Sequence, residues 1–267
     1  MNVSQYLKNN YYRIFVPLLL LIIWQFVAQM GWMTNLFPSP VKVARGLADW
    51  VFNIDGTAQD KSGKWVFDAL NSTKRVLIGY FLASLSAIII GISIGWSAII
   101  QKTIEPTIQI FRFIPPVSWI PLAIIWFGIG DNPAVFLVFL GAFFPILINT
   151  IHGVRSLDIN IIHAASMMGA TTWQKIKFVV IPSSLPSIFT GMRTSLGTAW
   201  MITVTAEMIA VKSGLGYALW DSYYFMRLDL VIAAMISIGI LGFLSDWILR
   251  IIIRRILHWQ QDLLNNK

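Results

Sequence analysis

The sequence predicts an all-α membrane protein with about six transmembrane helices. Composition is the first observation behind that expectation: 57% of the 267 residues are hydrophobic and 12% are charged, where soluble domains carry about 25% charged residues. Mean hydropathy is +0.70. The second is length: several apolar runs approach or exceed the roughly 20 residues that a helix needs to cross a bilayer. The third is pattern. No even series of short alternating segments points to a membrane β-barrel.

The first apolar run, Ile14–Met30, follows Lys8 and Arg13. It is too long for a signal peptide and no small-x-small cleavage site follows it, so a retained span is expected. In LFPSPVKVARGLADWVF, Pro38 and Pro40 break the chain. From Val41 to Phe52 apolar residues recur at helical spacing opposite Lys42, Arg45 and Asp49, which suits a helix lying on the membrane surface. Asn53–Lys64 is a polar loop. Further spans are expected near Val76–Ile100, Ile104–Ile129, Pro133–Ile151, Leu185–Met208 and Leu230–Ile253. The organisation is then residues 1–75 (first span, surface helix, polar loop), a core at 76–256, and a tail at 257–267. An even number of spans puts both termini on one side. Basic residues in the short loops and tails, such as Lys102, Arg155, Lys175, Arg250 and Arg254, favour the cytoplasmic side for both.

The net charge of +8 is explained by these membrane-edge cations, and no nucleic-acid partner is expected. There is no cysteine, and His152, His163 and His258 form no ligand cluster, so neither a metal site nor a bound cofactor is expected. Acidic residues are scattered and no G-x-S-x-G turn occurs, so no catalytic residues are assigned.

Gly153–Ser184 is the largest loop expected on the cytoplasmic side. Asp158 can cap a helix from Ile159. Ala164, Ala165 and Ser166 are small enough to let another surface approach. Gly169 permits a turn of positive φ. Thr171 or Thr172 can cap a second helix, Trp173–Val180, which Pro182 is expected to end. Local physics leaves open a pair of helices resting on lipid or one docking a partner. A DNA-reading pair is disfavoured, because spans lie within about ten residues on either side and block entry to a groove.

This loop resembles the coupling motif E-A-A-x3-G-x9-I-x-L-P of binding-protein-dependent ABC importer permeases. His163, Ala164, Ala165, Gly169, Val179, Ile181 and Pro182 occupy the matching positions, with His163 in place of Glu, Val179 in place of Ile and Ile181 in place of Leu. FRFIPPVSWIPLAIIWFGIGDNP (111–133), LFPSPVKV (36–43) and AEMIAVKSGLGYALW (206–220) are similar to the nitrate, sulfonate, taurine and bicarbonate branch. The resemblance implies a type I importer permease core with a cytoplasmic coupling helix, in which His163, Ala164, Ala165, Gly169, Ala170 and Pro182 meet the ATPase. It also implies a second permease copy, cytoplasmic ABC ATPase subunits that bind ATP-Mg, an extracytoplasmic solute-binding protein, and a place in the bacterial inner membrane. The chain itself has no G-x-x-x-x-G-K-[ST] loop, so it is expected to borrow its ATPase and not to be an enzyme.

Candidate pathway residues are Arg112, Pro115, Pro116, Trp119, Trp200 and Glu207. A charge at bilayer depth costs at least about 2.5–3.5 kcal/mol unless it is paired or wet. Arg193, Asp246 and Glu207 are read as snorkelling or ion-paired, and Arg112 as the best pathway candidate. Pro115, Pro116 and Pro121 remove backbone donors and should distort the third span. Gly91 and Gly95 form a G-x-x-x-G pair read as close packing within one subunit. The rival functions are an ion-coupled transporter or channel and a membrane-embedded enzyme; the residues show neither a midplane ionisable cluster nor a catalytic constellation.

Overall fold

The computed structural model describes residues 3–30, 38–54 and 58–257. The beginning of the Leu36–Val43 stretch, Asp55–Thr57 of the polar loop and the tail from His258 lie outside the described residues. Along the chain the helices are α1 Val3–Gln29, α2 Pro40–Phe52, α3 Trp65–Trp96, α4 Ala98–Phe111, α5 Ile120–Phe127, α6 Asp131–Arg155, α7 Ile159–Met167, α8 Thr172–Lys175, α9 Ile181–Ala210, α10 Leu215–Tyr224 and α11 Leu228–Ile256. Among the described residues α3, α6 and α11 are each long and apolar enough to cross a membrane. Two bent pairs bring the total to five if each is one span. The first expected span, Ile14–Met30, is represented by a shorter apolar helix, Phe15–Gln29.

By contact the chain divides into two compact units, residues 1–68 with 218–237, and 69–217 with 238–267. In the first, Ser39 caps α2 and Val43, Gly46 and Trp50 form its buried face. Lys42 and Arg45 are exposed, as the surface-helix reading requires. Asp49 departs from that reading: it is fully buried. Its carboxylate accepts from the Ala58 amide at 2.6 Å and from the Ser62 hydroxyl, and its carbonyl accepts from the Asn53 and Gly63 amides. Asp49 thus holds the polar loop onto the end of α2 instead of facing water. Lys61 pairs with Asp221 at 2.9 Å, and the Trp65 indole donates to Ser237 Oγ at 2.8 Å.

In the second unit α6 is central. Leu137, Val138, Ala142, Ile146 and Leu147 are fully enclosed. Gly79, Ala83, Ala87, Gly91 and Gly95 recur every four residues and so share one face of α3. A Cβ built on Gly91 would lie 2.7 Å from Thr150, and one on Gly95 2.6 Å from Val154. The pair therefore packs α3 on α6 inside one chain, as expected, and the constant offset shows that the two helices run in the same direction. α9 runs opposite to α6: Gly191 abuts Asn149 and Gly153 abuts Ser187. Leucine at Gly91 is expected to push α3 from α6 and destabilise the purified chain by about 1–3 kcal/mol. The same change at Gly239, where a Cβ meets nothing within 4 Å, should stay within about 0.5 kcal/mol. Thermal aggregation of the two variants checks the difference.

The third span is broken. α4 and the Pro116–Phe127 segment meet at 83°, with Pro115 leading into a 3₁₀ turn, Pro116–Trp119, and a proline in the first turn of α5. Missing amide donors at Pro115, Pro116 and Pro121 account for the break. The second helix of the large loop does not stop at Pro182, contrary to expectation. α8 passes through a π-helical turn, Ile176–Val180, directly into α9, which has proline in its first turn. Widening the turn shifts the carbonyl that would otherwise meet the Pro182 ring, so the helix continues through it.

Candidate functional site: a capped helix pair and a buried charge cluster

The loop between α6 and α9 is built from local caps. Asp158 Oδ1 accepts from the Asn160 amide at 2.9 Å and starts α7. At the other end Gly169 takes φ +78°. The Ala170 amide donates to the Ala165 carbonyl at 3.1 Å and the Gly169 amide to the Ser166 carbonyl at 3.0 Å. These two bonds make a Schellman stop, which places glycine at the left-handed position. Thr171 then opens α8 with a capping box: its hydroxyl accepts from the Gln174 amide, and Gln174 Oε1 accepts from the Thr171 amide at 2.8 Å. Lys175 Nζ donates to Ser166 Oγ at 3.0 Å and ties the two helices together.

That geometry places each predicted docking residue. His163, Ala164 and Gly169 are exposed, and Ala170 and Pro182 are half-buried. Ala165 is buried, so of the two alanines only Ala164 is offered outward; Ala165 fills the inside of the turn. Beside them stand large apolar side chains that the sequence reading did not single out. Met167 is 89% exposed, Met168 82% and Trp173 68%. Exposed apolar groups on this capped unit suit contact with lipid or with a docking partner.

A second constellation surrounds Glu207, which has no solvent exposure. Arg75, itself 2% exposed, uses all five of its donors. Nη1 donates to Glu207 Oε1 at 2.6 Å and to the Ser213 carbonyl at 2.8 Å. Nη2 donates to Asp131 Oδ1 at 2.6 Å and to Ser213 Oγ at 2.7 Å, and Nε donates to Asp131 Oδ1 at 2.8 Å. Glu207 Oε2 accepts from Ser72 Oγ and from the Gly216 amide, both at 2.8 Å, while Ser72 Oγ accepts from the Leu215 amide at 2.9 Å. The carboxylate thereby serves the opening amides of α10, where an anion is favoured. Gly214 sits at φ +105°, and a Cβ there would lie 2.5 Å from Glu207 Oε1, so the position excludes any side chain. The segment Ser213–Gly216 is thus read residue by residue by the cluster.

The pathway candidates have different surroundings among the described residues. Arg112 ends α4, half-buried, with its guanidinium 4.7 Å from the Phe113 ring centroid. It forms no ion pair among the described residues. Pro115 is exposed, and Pro116 and Trp119 are half-buried along the break. Trp200 is 5% exposed and donates to Ser245 Oγ at 3.2 Å, a packed position. Glu207 faces Arg75. Arg193 and Asp246, read as snorkelling or ion-paired, pair with each other, Nε to Oδ1 at 2.8 Å. Arg75, Asp131, Ser72 and Ser213 were missed. The available signal was Glu207 itself, since a carboxylate inside a span requires a cation.

Comparison with known proteins agrees with this architecture. The profile described as binding-protein-dependent transport system inner membrane component matches residues 87–258. A putative ABC transporter permease protein of Methanocaldococcus jannaschii is 39% identical, covering 95% of this chain and 94% of its own. The taurine transport system permease protein of Escherichia coli is 34% identical over 91% of this chain and 87% of its own. The nitrate import permease protein of Synechococcus elongatus is 29% identical over 93% and 94%. Among solved structures, an inward-facing form of the MetNI methionine ABC transporter aligns with a TM-score of 0.56 at 19% identity, covering 69% of this chain and 94% of that one.

Proposed function

The chain belongs to the family of binding-protein-dependent transport system inner membrane components, and from that premise we propose that it carries a small oxyanion through the cell membrane. The solute is a nitrate, sulfonate, taurine or bicarbonate type of anion, delivered by an extracytoplasmic binding protein. Two copies of this chain form the pathway, with both termini cytoplasmic. ATP-Mg bound by two ATPase subunits drives the alternation between inward- and outward-open states.

The observation that carries the docking role is the α7–α8 unit. Its caps hold Met167, Met168 and Trp173 in the open, between α6 and a helix that runs without interruption into α9. A push on such a unit moves α9 as a body, because no flexible linker intervenes. The relatives' names supply the solute class: one transports taurine and another imports nitrate. Family membership sets the ion-coupled alternative aside.

The test is uptake into proteoliposomes that hold the permease, its ATPase and its binding protein, with taurine, an alkanesulfonate, nitrate and bicarbonate in turn. ATP-dependent uptake of one of them is expected, from a complex that native mass spectrometry weighs as two permeases and two ATPases. No uptake of any of the four would sink the oxyanion reading. Arg112 gets its own arm. Arg112→Gln should assemble normally and lower uptake about tenfold or more, the loss expected for one charge-assisted contact, while Arg112→Lys should retain part of it. Equal uptake by the two variants would remove Arg112 as an anion contact.

A further inference from the structure

α9 and α11 run antiparallel in the second unit. Trp200 meets Ser245, Arg193 meets Asp246, and Phe189 lies near Arg250 and Arg254. The C-terminal end of α11 therefore lies beside the beginning of α9, on the side of the membrane that bears α7 and α8. Between them is a cleft of about 370 Å³. Pro186, Phe189 and Ile253 give it apolar walls, and Arg193, Arg250 and Arg254 all line it.

Among the described residues the charges lining this cleft do not balance. Asp246 is the one carboxylate paired there among the described residues. Arg193 contacts it through Nε at 2.8 Å and Nη2 at 3.4 Å, and Arg250 contacts it through Nη2 at 3.0 Å. Arg250 Nε is buried with no hydrogen-bond partner. Arg254 forms no ion pair among the described residues and is exposed. Among the described residues, three guanidinium groups face one carboxylate in the cleft. Most guanidinium donors in the cleft have no protein partner among the described residues, and their planar forks suit the paired oxygens of a phosphate or sulfonate group.

We infer that the cleft between α9 and α11 is a binding site for an oxyanion group, clamped by Arg193, Arg250 and Arg254 on the coupling-loop side of the membrane. Asp246 is the positioning residue: it holds Arg193 and Arg250 side by side and keeps their remaining donors turned to the cleft. The oxyanion can come from two sources, the phosphate of an anionic lipid or a soluble oxyanion, and both present the same chemistry to the guanidinium groups. The site is separate from the α7–α8 surface, and its occupancy does not depend on the import reading.

The experiment uses the intact permease–ATPase complex without ATP or binding protein, so that failure of transport cannot mimic failure of binding. One arm places it in nanodiscs of phosphatidylcholine, with or without phosphatidylglycerol, and counts retained phosphatidylglycerol by native mass spectrometry. The other keeps pure phosphatidylcholine and compares thermal stabilisation by sodium sulfate and by sodium chloride at equal ionic strength. Arg254→Gln is the first variant, because it leaves both Asp246 contacts in place; Arg250→Gln is the second. In at least one arm each variant should weaken binding about tenfold, as expected for one lost charge-assisted contact. Loss confined to the lipid arm identifies the lipid phosphate, loss confined to the sulfate arm identifies a soluble oxyanion, and loss in both means that the site accepts either. If wild type and both variants behave alike in both arms, or if chloride matches sulfate while phosphatidylglycerol is not retained, the site is overturned.

Discussion

Arg75→Met is expected to destabilise the folded permease by about 3–5 kcal/mol, the scale for removing one partner of a buried ion pair. Glu207, with no solvent exposure, would keep only the Ser72 hydroxyl and the Gly216 amide as donors. The Ser213 carbonyl and hydroxyl would lose their guanidinium at the same time. The sign of the second substitution makes this a sharp test. Adding Glu207→Gln to Arg75→Met removes the stranded carboxylate, so the double variant should be more stable than Arg75→Met alone. Asp131→Asn should cost no more than about 1 kcal/mol, because the Asp131 side chain is 50% exposed and water screens its share of the interaction. Thermal aggregation of the detergent-purified chains ranks the set. A loss for Arg75→Met no larger than that for Asp131→Asn would show that the cluster does not hold the fold.

That cluster also shows what could and could not be read from the sequence. Features whose hydrogen bonds close within a few residues were legible. Asp158 and Thr171 both cap as expected, Gly169 turns with positive φ, and the prolines after Arg112 break the third span. The close approach at Gly91 and Gly95 was legible because small residues at four-residue spacing leave a groove wherever another helix can enter it. Arg75 was not, because its partners are 56 and 132 residues away; by position alone it looked like the last cation of a polar segment before a span. Asp49 misled for a related reason. On a helical wheel it joins Lys42 and Arg45, yet amides from the following loop satisfy it and take it out of water. Pro182 misled because a proline ends a helix only if the preceding turn keeps its normal width. The exposed apolar residues beside the motif were not singled out either. Met167, Met168 and Trp173 become informative only once the caps show that they stand on a fixed surface.

The turn at Gly169 is expected to be the most sensitive single position for transport. A Cβ there meets nothing within 4 Å, so any effect of substitution comes from the backbone and not from crowding. At φ +78° an L-residue other than asparagine or aspartate pays about 1–2 kcal/mol in steric strain, and a β-branched residue pays most. The Schellman bonds from Gly169 and Ala170 depend on that conformation. Relieving the strain by leaving the left-handed region would break them, tilt α7 against α8, and disperse the patch formed by Met167, Met168 and Trp173. Uptake and ATPase co-purification are therefore expected to fall in the order glycine, asparagine, alanine, valine, with Gly169→Val inactive and Gly169→Asn retaining a substantial part. Membrane insertion should be unchanged throughout, since the turn lies outside the apolar segments and no packed side chain is displaced. Asparagine separates this account from a simple demand for a small residue: if Gly169→Ala outperforms Gly169→Asn in both assays, size governs the position and the left-handed turn does not, whereas full activity of Gly169→Val would remove the turn from the coupling step altogether.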